Sequence, residues 1–379
     1  MAQIKTPYGL VRNTDGTLCT TYRDDDVPFQ GVRSFAVERE TTNLITNYNI
    51  TTWTKHGETD TYYELTDEEY KGCPVIKLGK PNEDRSEDGY VSRQIFRDFW
   101  NLPDGTKYTF SIYVFIIEAG SSFNHTRYRN CINFYPNNLG ETPIWFEDLP
   151  KNQWIQISIT GTIMDTLRAR PIICFDNSYI KVACPQFEEA PFATSFVDGN
   201  RPKGRLQLVN DMFDKNNLVI AQWVKHIVDT TIMWSATEVG SWSADNSLFY
   251  ATFGLRPSNN QIILRYNGTS NTKVVSIDDI VKKWVLEIFI LDGQMATYKI
   301  IGDNINETLT AITTEDRPFE GRIFIYSHTK TTHNFGLVAN QYVGKYRKPN
   351  GDIIWTDDYI REVYEAKIPF PVQSQLSIY

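Results

Sequence analysis

The sequence predicts an all-β protein, built as two tandem antiparallel β-sandwiches (jelly rolls) with a short C-terminal helix. Three observations predict it. Short runs rich in Val, Ile, Phe, Tyr and Thr recur from about residue 43 to 345, broken by polar turns at the spacing of a sandwich. One stretch near the middle, Cys184–Pro202, interrupts that rhythm and divides the runs into two sets. The hydrophobic period changes from two to 3.6 once, near residue 357. Composition agrees: 379 residues give room for two or three domains, and Tyr (21), Phe (21) and Trp (9) suit pleated, half-buried surfaces.

Taken in order, residues 1–40 read as an extended N-terminal arm for attachment. Asn13–Thr17 is turn chemistry between two short strands, Tyr8–Arg12 and Thr17–Tyr22. Asp24, Asp25 and Asp26 form a solvated turn, since three adjacent carboxylates lack the spacing of a calcium loop. Residues 41–190 form the first sandwich. Its expected strands are Ile50–Lys55, Tyr62–Leu65, Pro74–Lys77, Tyr90–Phe96, Thr106–Ile117, Cys131–Tyr135, Trp154–Ile163, Ala169–Phe175 and Tyr179–Phe187. Thr106–Ile117 is the strongest of them.

A connector follows at 191–202. Pro185 and Pro191 lack a backbone donor, Asp198-Gly199-Asn200 tolerates positive φ, and Pro202 holds Arg201 extended. The aromatics Phe187, Phe192 and Phe196 mark the stretch as one that packs on its neighbours. The second sandwich spans 203–366. Its expected strands are Leu218–Lys225, Thr231–Thr237, Ser247–Leu255, Gln261–Tyr266, Val274–Ile277, Trp284–Leu291, Gln294–Ile301, Gly321–His328 and Phe335–Tyr342. Ile360, Val363 and Tyr364 then fall at i, i+3 and i+4 behind Thr356, a helix with its N-cap. Residues 367–379, with Pro369 and Pro371, read as a C-terminal arm.

Three stretches resemble known proteins. Pro185–Pro202 (PQFEEAPFATSFVDGNRP) is similar to a segment of bacteriophage structural proteins that closes a carbohydrate-binding-module-like jelly roll. Gly31–Asn47, with Phe35, Val37, Glu38, Leu44 and Ile45 at its matching positions, resembles the segment that opens such a jelly roll. Trp284–Ile300, with Asp292-Gly293 at the turn, resembles the central hairpin of laminin-G/concanavalin A-like lectin domains. Phe319–Ile325 resembles a later strand of that family but lacks its second Gly. The helix resembles the short one that ends such domains. Together these imply a bacteriophage virion protein of the tail, fibre or head-decoration kind.

Charge and motifs narrow the function. The formal charge of −8 disfavours a general affinity for nucleic acid. No apolar run approaches a membrane span, and Met1–Gly9 has no apolar signal core. The expectation is synthesis in the host cytoplasm and assembly into a virion, with no membrane insertion. The five cysteines include no Cys-x-x-Cys, so reduced thiols are expected, with one bridge, Cys174–Cys184, kept open. The sequons at Asn49, Asn124, Asn267 and Asn306 mark surface loops.

No catalytic residues, metal site or cofactor is expected. Glu287 and Asp292 point to opposite pleat faces, which does not suit glycoside hydrolysis. Glu188 and Glu189 are adjacent and point apart. His328 and His333 bracket a polar loop without the further ligands a metal needs. Sugar binding needs less: an aromatic face and a few polar groups. Trp53, Trp154 and Trp284 read as core, while Trp145, Trp234 and Trp242 lie in polar surroundings and are the stacking candidates. The expected function is a virion adhesin contacting host surface glycans, assembled with other virion proteins as a homo-oligomer, with a trimer favoured. The alternative is a head fibre, decoration or connector protein without glycan binding, and a third reading is a polysaccharide-degrading enzyme.

Overall fold

The computed structural model describes residues 5–6, 9–13, 21–23, 34–37, 41–46, 50–57, 62–81, 93–120, 130–135, 142–164, 168–194, 196–201, 204–209, 214–228, 235–241, 249–314, 322–325 and 336–367. The chain divides into two compact units, Thr41–Arg201 and Met1–Glu40 together with Pro202–Tyr379. The first unit is thus inserted within the sequence of the second. Every pairing between named strands is antiparallel, and the described helix is Asp357–Ala366, so the all-β class holds.

The second unit resumes at Pro202, and the described strands among residues 1–40 pair into its sheets rather than standing as an arm. Gly9–Asn13 pairs with Gly204–Val209, and Ser34–Val37 pairs with Gly336–Gly344. Strands this short cannot satisfy their own donors and acceptors, whereas a sheet edge supplies partners. The hairpin expected across Asn13–Thr17 is corrected as well. Gly9–Asn13 joins an eight-stranded sheet and Thr21–Arg23 a seven-stranded one. Asp24–Asp26 and residues 368–379 lie outside the described residues.

The inserted unit is a sandwich. Its five-stranded sheet runs Trp154–Thr162, Lys107–Glu118, Tyr179–Glu188, Cys73–Leu78, Tyr63–Tyr70. Its six-stranded sheet runs Ile144–Trp145, Asn130–Tyr135, Arg168–Phe175, Gln94–Phe96, Thr54–His56, with Phe99–Trp100 also on Arg168–Phe175. Phe110, Ile112, Val114 and Ile116 meet Phe134, Ile173 and Phe175 in the core. Phe187 sits among the rings of Phe99, Tyr108 and Phe134 at 4.4, 5.2 and 5.5 Å. The strand expected at Ile50–Lys55 starts instead as a 3-10 turn, Ile50–Thr52, closed by Trp53 N donating to Ile50 O. That turn buries Ile50 and Trp53, and only Thr54–His56 is strand.

The stretch that resembles a jelly-roll closure clasps this unit. Asn43 is buried and uses all its side-chain capacity. Its Oδ1 accepts from Ile45 N (3.0 Å) and Phe187 N (3.1 Å), and its Nδ2 donates to Pro185 O (3.2 Å) and Val197 O (3.1 Å). Glu188, also buried, accepts from Thr41 Oγ1, Gln186 Nε2, Thr194 N and Thr194 Oγ1 at 2.6–2.8 Å. Glu189 is exposed. Asn200–Arg201 then pairs with Thr41–Thr42, so the strands that enter and leave the unit lie side by side. The segment expected as a connector is therefore part of the inserted unit. A bulge at Cys184, whose φ is 52°, shifts the register of this strand against Lys107–Glu118.

The other unit packs its seven- and eight-stranded sheets around a second core. Trp284–Asp292 and Met295–Gly302 form the expected hairpin, turning at Gly293 with φ 63°. Asp292 takes both oxygens to Arg347, with Nη2 at 2.6 Å and Nε at 3.1 Å. Beyond residue 201, two strands are found where none was expected, Gly204–Val209 and Ile305–Ile312. The run expected at Val274–Ile277 instead ends a strand, Thr269–Val274, and opens the 3-10 turn Ile277–Asp279. Asn267 lies in a two-residue hairpin turn with Gly268, φ 45° and 89°, but is buried, and Asn306 lies on a strand, so neither sequon marks the surface loop expected. Asn49 and Asn124 lie outside the described residues.

The helix Asp357–Ala366 is capped as expected: Thr356 Oγ1 accepts from Tyr359 N at 3.2 Å. It lays Ile360 and Val363 on Trp223, Leu286 and Ile288. Trp223 stacks on Tyr364 at 5.7 Å, and Lys367 ends the helix with its Nζ 3.6 Å from the Tyr364 ring. The helix thereby covers the outer face of the seven-stranded sheet, opposite the core. No described helix is long and apolar enough to cross a membrane.

Candidate functional site

Of the stacking candidates named from sequence, Trp145 is described and it is packed away rather than presented to solvent. Trp145 is 8% exposed and packs with Cys131, Ile172 and Cys174. Its polar neighbours in sequence, Glu147 and Asp148, lie in the 3-10 turn Phe146–Asp148 that follows it. Trp234 and Trp242 lie outside the described residues. Trp53 is core as expected, and Trp154 is partly buried, stacked on Tyr70 at 4.3 Å. Trp284 is partly buried against the cluster under the helix.

The acids weighed as a hydrolytic pair are both engaged in the fold. Glu287 is buried in the core of the second sandwich, where Tyr298 OH (2.7 Å) and His226 Nε2 (3.1 Å) meet Oε1 and Gln222 Nε2 (2.8 Å) meets Oε2. His226 Nδ1 lies 3.0 Å from Ser235 Oγ. A serine, a histidine and a glutamate are thus linked in series, but Ser235 and His226 have no exposed surface and Glu287 has 1%. Asp292 is held by Arg347, as above. Among the described residues, no three His, Cys, Asp or Glu gather as metal ligands.

Cys73, Cys131, Cys174 and Cys184 are buried free thiols, as the reading of reduced cysteines expects. Cys131 and Cys174 stand directly opposite each other in the six-stranded sheet. Cys184 lies in the five-stranded sheet, where it touches Cys73 and donates to Tyr70 O at 3.2 Å. The open Cys174–Cys184 bridge is excluded by this separation onto two sheets. Hydrogen bonding to Cys131, then burial, pushes the Cys174 thiol up; hydrogen bonding to Cys73, then burial, does the same for Cys184.

The chemistry suited to a ligand lies on the outer face of the six-stranded sheet. Gln94–Phe96 and Phe99–Trp100 run in one continuous register along Arg168–Phe175, with Phe96 opposite Ile172, Phe99 opposite Ala169 and Trp100 opposite Arg168. Arg97 N donates to Pro171 O between them. Alternation sends Ile95 and Phe99 into the core and Phe96, Asp98 and Trp100 outward. Trp100 is 59% exposed, the most exposed aromatic among the described residues. Arg168 holds its guanidinium 5.1 Å from the Trp100 ring centre. Arg170 grips Asp98 with both arms, Nε to Oδ1 at 2.7 Å and Nη2 to Oδ2 at 2.9 Å, and lies 4.3 Å from the Phe96 ring centre. The bond to Asp98 raises the Arg170 pKa, while burial lowers that of Arg97.

Beside this strip the edge strand Thr54–His56 stops short. The preceding 3-10 turn leaves a cleft of about 460 Å³ lined by Thr52, Trp53, Thr54, Phe96, Arg97 and Asp98. The cleft and the strip share Phe96 and Asp98. Sequence reasoning missed Trp100 because Phe99-Trp100 looks like an adjacent apolar pair bound for a core. The available signal was the Asn-Leu-Pro-Asp-Gly turn that follows, which requires the strand to end at the surface.

No family model matches the chain, and no curated protein matches it in sequence. Among solved structures it is similar to Caenorhabditis elegans galectin LEC-6, at 12% identity and a TM-score of 0.25, over 37% of this chain and 92% of that one. It is similar to domains LG4-5 of the mouse laminin α1 chain, at 9% identity and a TM-score of 0.28, over 66% and 87%. It is also similar to a truncated AlyQ with CBM32 and alginate lyase domains, at 9% identity and a TM-score of 0.26, over 91% and 100%. Likenesses at this level carry no argument about what the chain binds.

Proposed function

We propose that the chain is a glycan-binding protein whose site is the outer face of the six-stranded sheet, and that it serves as an adhesin on a bacteriophage virion. The observation that supports the first part is Trp100, held out on a rigid sheet beside the Asp98–Arg170 pair. An exposed indole plane stacks on a pyranose ring, and carboxylate and guanidinium groups bond its hydroxyls. The paired strands fix these groups before the ligand arrives, which lowers the cost of binding. The second part rests on the sequence resemblance of 31–47 and 185–202 to virion proteins. Copies assembled as a trimer would offset the weakness of one shallow site by raising effective concentration.

Screening the full chain on a glycan array tests the site. Retention of at least one glycan by the wild type and its loss in Trp100→Ala is expected. Equal retention by the two proteins would remove the face from consideration. Light scattering tests the trimer, and location of the chain in a particle reconstruction tests the virion. A second reading, a head fibre or decoration protein without glycan binding, is favoured by a separate observation. Asn43, Gln186 and Glu188, which lie within the segments that carry the resemblance, are all consumed inside the fold. An empty array with the protein present on the capsid would support it.

A further inference from the structure

We propose that the ligand of the Trp100 face is an internal stretch of a linear glycan, held over several linked sugars, and not a single terminal sugar. The inference rests on the glycan reading above and adds the form of the ligand. Its basis is the spacing of three features along one line of strand. Phe96, Asp98 and Trp100 alternate onto the same outer face, in continuous register with Arg168–Phe175. Four steps of extended chain separate Phe96 from Trp100, about 13 Å. That is more than the breadth of one pyranose ring. A sugar stacked on the indole therefore does not reach the cleft that Phe96 lines, and a chain of sugars does.

Three contacts follow in order along the strip. Trp100, 59% exposed, offers a stacking plane. Asp98 and Arg170 come next. They neutralise each other, yet 23% and 28% of their side chains stay in solvent, where sugar hydroxyls meet them. The cleft of about 460 Å³ comes last, a volume within the range of small-ligand sites. This cleft exists because a neighbouring strand is missing. Thr54–His56 starts opposite Phe96, and the chain before it turns away as the 3-10 turn Ile50–Thr52. Arg97 N donates to Pro171 O, so Arg97 turns its backbone groups toward Arg168–Phe175. Strand alternation turns the N–H and C=O of Asp98 the other way, toward the gap. A row of hydroxyls on that flank of a glycan chain thus meets backbone groups as well as side chains.

The test uses the full chain and an array of homologous ladders, one to six units long, of β-1,4-glucan, β-1,4-xylan, β-1,4-mannan and oligouronate. Calorimetry on the retained ladder then compares the wild type with Trp100→Ala and Thr54→Trp, each first checked for an unchanged melting temperature. Thr54 is exposed and lines the cleft, so the larger side chain fills it. In the wild type, affinity should rise tenfold or more from the disaccharide to the tetrasaccharide, and less than twofold from there to the hexasaccharide. Thr54→Trp should abolish that rise and leave the disaccharide within twofold of wild type. Trp100→Ala should weaken every length. Equal affinity at all lengths, lost in Trp100→Ala, would overturn the extended-ligand inference and leave the glycan reading standing. A rise undiminished in Thr54→Trp would show that the cleft takes no sugar and would overturn it too. Retention of no ladder and no single sugar counts against both readings. Should Thr54→Trp fail the melting check, Thr54→Gln narrows the same cleft, and the wild-type ladder by itself separates a terminal sugar from a chain.

Discussion

Replacing Asn43 by Ala strips four hydrogen bonds from the clasp of the inserted sandwich. The two backbone donors, Ile45 N and Phe187 N, lose Oδ1, and the carbonyls of Pro185 and Val197 lose Nδ2. Asn43 is buried, and water does not replace what is removed. A buried donor left without a partner costs about 1–3 kcal/mol, and a carbonyl that keeps a second lone pair loses less. Two stranded donors therefore set the expected loss at about 3–4 kcal/mol. Thr42→Ala, one residue away and exposed, is the control and should stay within about 0.5 kcal/mol. Native-state hydrogen exchange read by mass spectrometry on peptides from Lys107–Glu118 is the assay, because that strand reports opening of this core. Protection there should fall roughly a hundred- to a thousandfold in Asn43→Ala. A change of less than about threefold would show that the clasp does not hold the sandwich.

Four further outcomes are expected. In the native protein Cys73, Cys131, Cys174 and Cys184 should resist iodoacetamide at pH 8, since burial and thiol–thiol hydrogen bonding raise the pKa of Cys174 and Cys184; forced oxidation with diamide should yield peptides joining 131 to 174 and 73 to 184, and a 174–184 peptide would contradict the sheet assignment. Gly79→Ala should lower the melting temperature by several degrees, because φ is 88° and a Cβ there would sit 1.8 Å from Ser178 O; an unchanged melting temperature would refute this. Burial raises the pKa of Tyr342, Tyr346, Tyr359 and Tyr364, so their contribution is fully present below the ordinary tyrosine value of about 10 and is lost as pH rises beyond it. The urea midpoint of the second sandwich should therefore fall between pH 9 and 11, less steeply in Tyr342→Phe/Tyr359→Phe, and a flat profile in the wild type would count against it. Glu287→Ala should destabilise the second sandwich by about 3 kcal/mol or more, as it orphans His226, Tyr298 and Gln222 in the core, and near-neutral behaviour in chemical denaturation would contradict the described network.

Strands whose alternation is strong were legible in the sequence. Thr106–Ile117, Trp154–Ile163 and Gln261–Tyr266 lie where the period placed them, within a residue or so. The helix was legible because Thr356, Ile360 and Val363 combine a cap with a period. What was not legible depended on distant partners. Gly9–Asn13 is held as strand by Gly204–Val209, and nothing local specifies that pairing. Ile305–Ile312 alternates only weakly, with Thr and Asn on its outer side and Ala among its inner residues, so its pattern is faint. Asn43 and Glu188 lie in the two segments that carried the resemblance, yet their common use in one clasp appears only once both ends of the unit are brought together. The site was least legible. A one-residue difference in pleat separates Phe99 in the core from Trp100 in solvent, and no local propensity decides it.

The pairing of Thr41–Thr42 with Asn200–Arg201 bears on the order in which the molecule is assembled. The outer sandwich takes strands from both sides of the insertion, so its sheets cannot be completed until residue 201 has been synthesised and passed. An insert left slack would present the outer sandwich with a loop-closure cost. Tied at its own base, it behaves as a link of about two residues, and the difference is about 4 kcal/mol of chain entropy. We expect the inserted unit to fold first and hold its own ends together, so that the flanking segments pair with that chain entropy already lost. A variant that frays that base would slow folding of the outer sandwich while leaving every contact inside the outer sandwich intact.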